Sequence, residues 1–435
     1  MQRLLERYLG WCAHRTIKRD KPLVVAIAGS VGKTSIRYAL TQALSGRLSP
    51  EEFRCSKKNY NNELGVPLSI FDLEMPGKNP FKWIAVMAVA ASYAFGVKRL
   101  EMRYLVLEMG ADHPGDMKYL IKMAPPTIAI ISSLGAEHTE YFGSEEKAVE
   151  EERLILKALP GTGEAILNTD EDWTWSSRNL AECEVVGFGK SPEAVVRIIS
   201  ADIKYDPAHP ADAGLEINLE VLRNHAYSLY LKGVYGEPHA YAIAATLAFM
   251  VSMDHLSKPA VQYLQDVYQG VPGRTRIIPG IKNTILLDDS YNAQPQAMRS
   301  AIGDLARFPI PARGKRIAAL GDMLELGSLT EAEHRNIGRL VAESNIDVLV
   351  CCGKLARVMA KEAVSAGMPA DCVHQFDTSA QAGLFIQQEI LKPNDTVLIK
   401  GSQGVRMEKI TKELMADPLR ASELLVRQSE DWLRK

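Results

Sequence analysis

Val24-Val25-Ala26-Ile27-Ala28-Gly29-Ser30-Val31-Gly32-Lys33-Thr34-Ser35 reads as a buried β-strand that runs into a glycine-rich turn and then into a helix. The order matters because a helix N-terminus offers unpaired N–H groups and the positive end of its dipole to an anion. Glycines let the backbone close around phosphate oxygens, Lys33 is long enough to reach terminal phosphates, and the Thr34 hydroxyl is a ligand type for Mg2+. Gly29, Ser30, Val31, Gly32, Lys33, Thr34 and Ser35 are therefore the expected nucleotide-binding residues, with ATP and Mg2+ as the expected cofactors. The common phosphate loop is G-x-x-x-x-G-K-[ST]; here Ile27 stands five residues before Gly32, so the loop is the shorter G-x-x-G-K-T.

The pattern around this loop predicts an α/β protein. Short apolar strands at Leu105–Leu107, Thr127–Ile131 and Ala165–Leu167 alternate with helical stretches, as in a mostly parallel sheet covered on both faces. Between Val195 and Leu231 the period changes to two, which predicts a small antiparallel sheet with one wet face. A proline-glycine breaker at Val271-Pro272-Gly273-Arg274 precedes a second strand-helix series, with strands at Ile285–Leu287, Arg316–Leu320, Asp347–Cys351 and Thr396–Ile399. The expected organisation is an amphipathic helix over 1–22, a P-loop ATPase-like central domain over 23–271 and a Rossmann-like domain over 272–435.

The 435 residues, 46 % of them hydrophobic, suffice for two or three cores, and a formal charge of −2 argues against nucleic acid as a partner. The six cysteines lack paired metal-ligand spacing, and Cys351-Cys352 ends an apolar run as a core strand would. A reducing, cytoplasmic setting and a monomer are expected. Residues 1–20 carry charges throughout and show no signal peptide. Leu5, Tyr8, Leu9 and Cys12 mark one face of a helix, which either packs on the first domain or lies on a membrane interface beside Arg15, Lys18, Arg19 and Lys21. A second apolar run, Trp83 to Phe95, is too short to span a bilayer and reads as a buried or partner-facing helix.

Taken in order, Gly29 to Ser35, Asn59-Tyr60-Asn61-Asn62-Glu63-Leu64-Gly65-Val66-Pro67, Leu107-Glu108-Met109-Gly110-Ala111, Asp289-Ser290-Tyr291-Asn292-Ala293, Gly321-Asp322-Met323-Leu324-Glu325-Leu326-Gly327 and Lys400-Gly401-Ser402 carry a family pattern. Across residues 23 to 410 the chain resembles the Mur ligases of peptidoglycan synthesis, most of all the type that adds D-alanyl-D-alanine to a UDP-N-acetylmuramoyl-tripeptide. The resemblance implies an ATP-dependent carboxylate–amine ligase of cell-wall synthesis, with muropeptide and dipeptide substrates and an acyl phosphate between them. Lys33, Glu108, His138, Glu152 and Arg274 become the implied catalytic residues, and Thr34, Glu108 and His138 the implied metal neighbours. Arg274, Asp289 and Asn292 are implied nucleotide contacts. Asn61, Asn62, Asp322, Glu325, Lys400 and Ser402 are implied substrate contacts, and His334 could orient the amine or its loop.

The chain departs from the family in places. Glu152 stands where the family has a lysine that becomes carbamylated, a group reaching roughly 3 to 4 Å further. Gln294 stands in place of a frequent asparagine, Gln403 of an arginine, and Ala242 of an asparagine expected near the base. The family's UDP-holding domain precedes the phosphate loop, whereas 23 residues precede Val24. The uridine is then expected on another surface, such as 79–103, or the substrate differs. Two alternatives stay open: a same-fold ligase acting on a folate, polyglutamate or pseudomurein acceptor, and a nucleotide-binding partner without turnover.

Overall fold

Five of the six residues of β1 (Leu23–Ala28) are buried, because β1 has a parallel neighbour on each side and helices above and below. The computed structural model describes residues 2–56, 60–77, 79–135 and 139–433. Around β1, α1 (Gln2–Asp20), α2 (Lys33–Ser45), β2 (Phe53–Cys55), α3 (Gly65–Ile70), α4 (Pro80–Ala94), β3 (Tyr104–Glu108), α5 (Asp116–Met123) and β4 (Ile128–Ile131) follow in chain order. Then come α6 (Thr139–Phe142), α7 (Glu145–Lys157), β5 (Glu164–Asn168), β6 (Glu184–Gly189), β7 (Val196–Lys204), β8 (Gly214–Val221) and β9 (His225–Lys232). The strand order is β2-β3-β1-β4-β5-β6-β7-β8-β9, parallel from β2 through β7. The period-two strands thus extend the edge of the main sheet instead of forming a separate one. Their alternation survives because β8 buries every second side chain.

The chain forms two units, Met1–Ser200 with Asn218–Leu229 and Ala240–Tyr268, and Ala201–Ile217 with Tyr230–His239 and Gln269–Lys435. The second contains β10 (Arg276–Gly280), β11 (Thr284–Asp289), β12 (Arg316–Gly321), β13 (Val348–Cys352), β14 (Val373–Phe376) and β15 (Thr396–Lys400). Their order is β10-β11-β15-β12-β13-β14, with only β10 antiparallel to its neighbour. Cys351 and Cys352 are buried in β13, and all six cysteines are free.

The N-terminal helix packs on the first unit. Leu9, Cys12, Ala13 and Ile17 enter its core, and Leu5 and Tyr8 lie against it. The apolar face marked by Leu5, Tyr8, Leu9 and Cys12 is therefore occupied by protein. No helix among the described residues is long and apolar enough to cross a membrane.

Buried carboxyls, Asp288 and Asp304 among them, should make the second unit sensitive to pH. Asp288 is fully buried at the end of β11, where burial raises its pKa from 3.8 to about 6 against the opposing hydrogen bond from Thr411 Oγ1 at 2.8 Å. A carboxyl whose folded pKa is raised supports the fold fully below its unfolded pKa, and that support fades as pH climbs from about 4 to about 6. The loss is at most about 3 kcal/mol. Asp288→Asn keeps an acceptor for Thr411 without the charge, so the variant's thermal midpoint should gain on the parent between pH 4 and pH 7. Parallel midpoints across that range would show that Asp288 does not titrate there.

Candidate active site

Register sets the site. Ile27 of β1 is opposite Glu108 of β3, and Ala28 is opposite Ile131 of β4, so the loops after these three strands leave the sheet side by side. This is the crevice outside the carboxyl ends of parallel strands, where open α/β sheets bind ligands. The loop after β1 needs its glycines. Gly29 has φ 119°, and a Cβ there would sit 2.5 Å from Ser132 Oγ and 2.7 Å from the Ser133 carbonyl oxygen. Gly32 caps α2 with φ 95°. Both angles are costly for any side chain.

The loop after β4 braces this turn. Ser30 N–H donates to the Ser133 carbonyl at 2.7 Å, Ser30 Oγ to the Gly135 carbonyl at 3.0 Å, and Val31 N–H to Ser133 Oγ at 3.2 Å. Lys33, the first residue of α2, bends over the loop and donates to the Gly29 carbonyl and, at 3.3 Å, to that of Ser30. Its ammonium thus lies above the turn that a phosphate would approach.

Thr34 Oγ1 donates to Glu108 Oε2 at 3.2 Å, and Glu108 is only 1 % exposed. Adjacent oxygens on an octahedral Mg2+ with bonds of about 2.1 Å are about 3.0 Å apart. The observed spacing fits two neighbouring ligands of one ion. The other Glu108 oxygen accepts from Nε of Arg37, whose Nη1 also donates to the Ser56 carbonyl. Arg37 lies one helical turn beyond Lys33, so both cations share one face of α2. Among the described residues no group of three or more His, Cys, Asp or Glu side chains could hold a metal.

A cavity of about 40 Å3 is lined by Lys33, Asn61, Asp112, Phe142 and Glu152 with Gly110, Ala111, Gly135 and Ala148. Glu152 is 8 % exposed, Glu150 faces solvent, and Glu151 accepts a 3.0 Å hydrogen bond from Met117 N–H. The acidic run on α7 is therefore three different residues, and only Glu152 reaches the cavity. Asn61 lines it and its carbonyl accepts from Gly110 N–H at 3.1 Å. Asn62 does not line it; its Oδ1 accepts from Gly65 N–H at 2.9 Å and fixes the start of α3. His138 lies outside the described residues. Sequence reasoning missed Arg37 and Asp112. The spacing of four from Lys33 could have flagged Arg37, whereas nothing local distinguishes Asp112 from any loop acid.

In the second unit, Asp289, Leu320 and Lys400 are in register at the ends of β11, β12 and β15. Lys400 Nζ binds Asp289 Oδ2 at 2.5 Å and the Asn292 carbonyl at 3.0 Å. Ser402 Oγ accepts from Leu324 N–H at 2.9 Å and donates to the Ala293 carbonyl at 3.3 Å. Asp322 Oδ1 accepts from Ala356 N–H at 2.7 Å. His334 is fully buried; its Nδ1–H donates to the Thr330 carbonyl at 2.6 Å, leaving Nε2 to accept from Met323 N–H at 3.1 Å. These groups tie three loops together. Removing Lys400 would bury an unpaired Asp289, at about 3–5 kcal/mol. Glu325 is exposed at φ 64°, and Asn292 is exposed. Arg274 lies over the Tyr291 ring at 4.3 Å, and its buried Nε has no hydrogen-bond partner among the described residues.

The profile of the Mur ligase middle domain matches residues 27–249, and that of the Mur ligase glutamate ligase domain matches 273–403. The chain is 28 % identical over 396 residues to the UDP-N-acetylmuramoyl-tripeptide--D-alanyl-D-alanine ligase of Escherichia coli, covering 90 % of this chain and 76 % of that one. With the Bacillus subtilis enzyme of the same name it shares 26 % over 405 residues, 91 % of this chain and 76 % of that one. A crystal structure of MurF from Acinetobacter baumannii superposes with a TM-score of 0.73 at 27 % identity, over 94 % of this chain and 80 % of that chain. A MurF from Thermotoga maritima, solved in complex with ADP, has the same fold at a TM-score of 0.74 and 23 % identity, over 94 % and 83 %. With the strand-loop-helix geometry and both domain profiles in place along one chain, it belongs to the Mur ligase family.

Proposed function

We propose that the chain joins the amine of D-alanyl-D-alanine to a muropeptide carboxylate, with ATP converted to ADP and phosphate, in the cytoplasm. The observation that carries this reading is the cavity that Lys33 and Glu152 both line, Lys33 being the chain neighbour of Thr34 in the Thr34–Glu108 pair. The relatives' shared activity supports the choice of substrates.

In the first step a carboxylate oxygen attacks the γ-phosphorus and ADP leaves. In the second the amine nitrogen attacks the acyl carbon, phosphate leaves with the bridging oxygen, and the nitrogen gives up a proton. Both partners in the first step are anions, so cations must hold them together. Lys33 sits over the loop to neutralise the terminal phosphates, and the backbone N–H groups of Gly32 and Lys33, at the start of α2, hold their oxygens. Mg2+ beside Thr34 and Glu108 would supply further neutralisation of phosphate charge. Arg37 fixes the Glu108 carboxylate, and Asp322, Glu325, Lys400 and Ser402 belong to the loops offered to the amine substrate. The assay is ADP release with UDP-linked and undecorated muropeptides, with and without D-alanyl-D-alanine. Release that depends on both substrates supports the reading; folate or glutamyl acceptors used in their place would contradict it, and ATP held without turnover would indicate a binding protein.

Glu152 takes the place of a carbamate. Glutamate needs no CO2, so turnover should not change when bicarbonate is stripped. Glu152→Gln should lower kcat about 10-fold with ATP affinity nearly unchanged, because its charge matters most as the acyl phosphate forms. Glu150→Ala should be silent, while Glu151→Ala should cost some stability through Met117. Equal kcat for the Glu150 and Glu152 variants would remove Glu152 from the mechanism.

A further inference from the structure

Three hydrogen bonds, Tyr8 to the Met87 carbonyl, Arg15 to the Ala94 carbonyl and Arg19 to the Lys98 carbonyl, span the same separation of 79 residues. A constant offset means that α1 and α4 run side by side in the same direction, so each has an inner and an outer face along its whole length. The inner face is core. The outer face is apolar where a soluble surface would be polar: Phe81 is 79 % and Phe95 68 % exposed, and Leu4, Trp11, Ile84 and Val97 are exposed with them. Leu4, Trp11 and Arg15 repeat at the spacing of one helical stripe, as do Phe81, Ala85, Ala88 and Phe95. The stripes meet where the Trp11 and Phe95 rings approach to 5.9 Å, with the Arg15 guanidinium 5.6 Å and 5.7 Å from their centroids.

Charge selects the occupant. Residues 1–21 and 79–103 hold ten Lys and Arg against three carboxylates, in a chain whose formal charge is −2. One of the three, Asp20, is paired with Arg19 at 2.6 Å. Arg7, Lys18, Lys82 and Lys98 are exposed around the apolar stripes. Self-association through this face would bring like charges together as water leaves, whereas anionic headgroups would neutralise them around inserted rings. We propose that the outer face of the α1–α4 layer docks on an anionic lipid bilayer, lying in its interface and not crossing it. The core-facing stripe of α1 takes no part, and the docking residues are those on its opposite side, with α4 supplying the larger share.

The test is co-sedimentation of the full chain with phosphatidylcholine vesicles, with and without phosphatidylglycerol, at low and physiological salt. Binding should require phosphatidylglycerol, weaken with salt, and fall at least ~10-fold in Phe81→Ser/Phe95→Ser and in Lys18→Ser/Lys82→Ser. These side chains are exposed, so an unchanged melting curve will show that each variant is folded. Absence of binding to anionic vesicles, or equal binding by folded variants, would overturn the proposal. Concentration-dependent dimerisation that these variants abolish would assign the face to a second copy instead.

Discussion

Lys33→Ala is expected to lower ATP-dependent ligation at least ~10²-fold in a protein that still folds. The side chain fills no core, and its ammonium donates to the Gly29 and Ser30 carbonyls. Such bonds contribute about 0.5–1.5 kcal/mol each to stability, whereas a 10²-fold rate loss corresponds to about 2.7 kcal/mol of transition-state stabilisation. The two effects separate in a paired measurement of melting temperature and ADP release at saturating substrates. A folded variant with near-normal turnover would remove the lysine from phosphate binding.

Glu108→Gln should raise the Mg2+ concentration for half-maximal activity about 10-fold or more, since the amide keeps the shape but not the charge of a hard ligand. It also removes the charged partner of Arg37, whose side chain is 11 % exposed, so some stability should go with it. Arg37→Met distinguishes the two consequences. Without the guanidinium, Glu108 is a better anion for a metal, and the Mg2+ midpoint should move down while the fold again weakens. Overlaid Mg2+ titrations of the Glu108 variant and the parent would exclude Glu108 as a ligand.

What could be read from sequence was whatever depends on neighbours in the chain. The phosphate loop was legible because Gly29 and Gly32 adopt positive φ between an apolar strand and a helix, a local demand with a local signature. The central strands were legible because two-sided burial makes them uniformly apolar. By contrast β14, Val-His-Gln-Phe, is only partly buried at a sheet edge and left no apolar run to find. The period-two strands were recognised, but not their attachment to the main sheet, because pairing between β6 and β7 depends on backbone groups. The face of α1 that packs was identified, while the exposure of Trp11 and Phe95 depends on which helix lies beside which.

Glu152 shows the same limit at the site. Three consecutive glutamates look alike in sequence, and only the rotation of α7 turns one into the cavity and another onto Met117. Arg37 was hidden because its partner, Glu108, is 71 residues away and meets it through the parallel pairing of β1 with β3. In the second unit, Asp322 and Ser402 lie in loops, Lys400 ends β15 and His334 lies in the helix Thr330–Glu343, and the structure gives each a protein partner. Their sequence pattern encodes the bracing of those loops as well as any contact with a substrate.

The central claim is that this chain activates a carboxylate by phosphorylating it, and the most direct measurement follows an oxygen atom. A muropeptide labelled with oxygen-18 in its terminal carboxylate, incubated with ATP, Mg2+ and D-alanyl-D-alanine, should deliver one labelled oxygen to the released phosphate for each amide formed, with ADP as the nucleotide product. Unlabelled phosphate alongside amide formation, or label appearing in AMP, would contradict it.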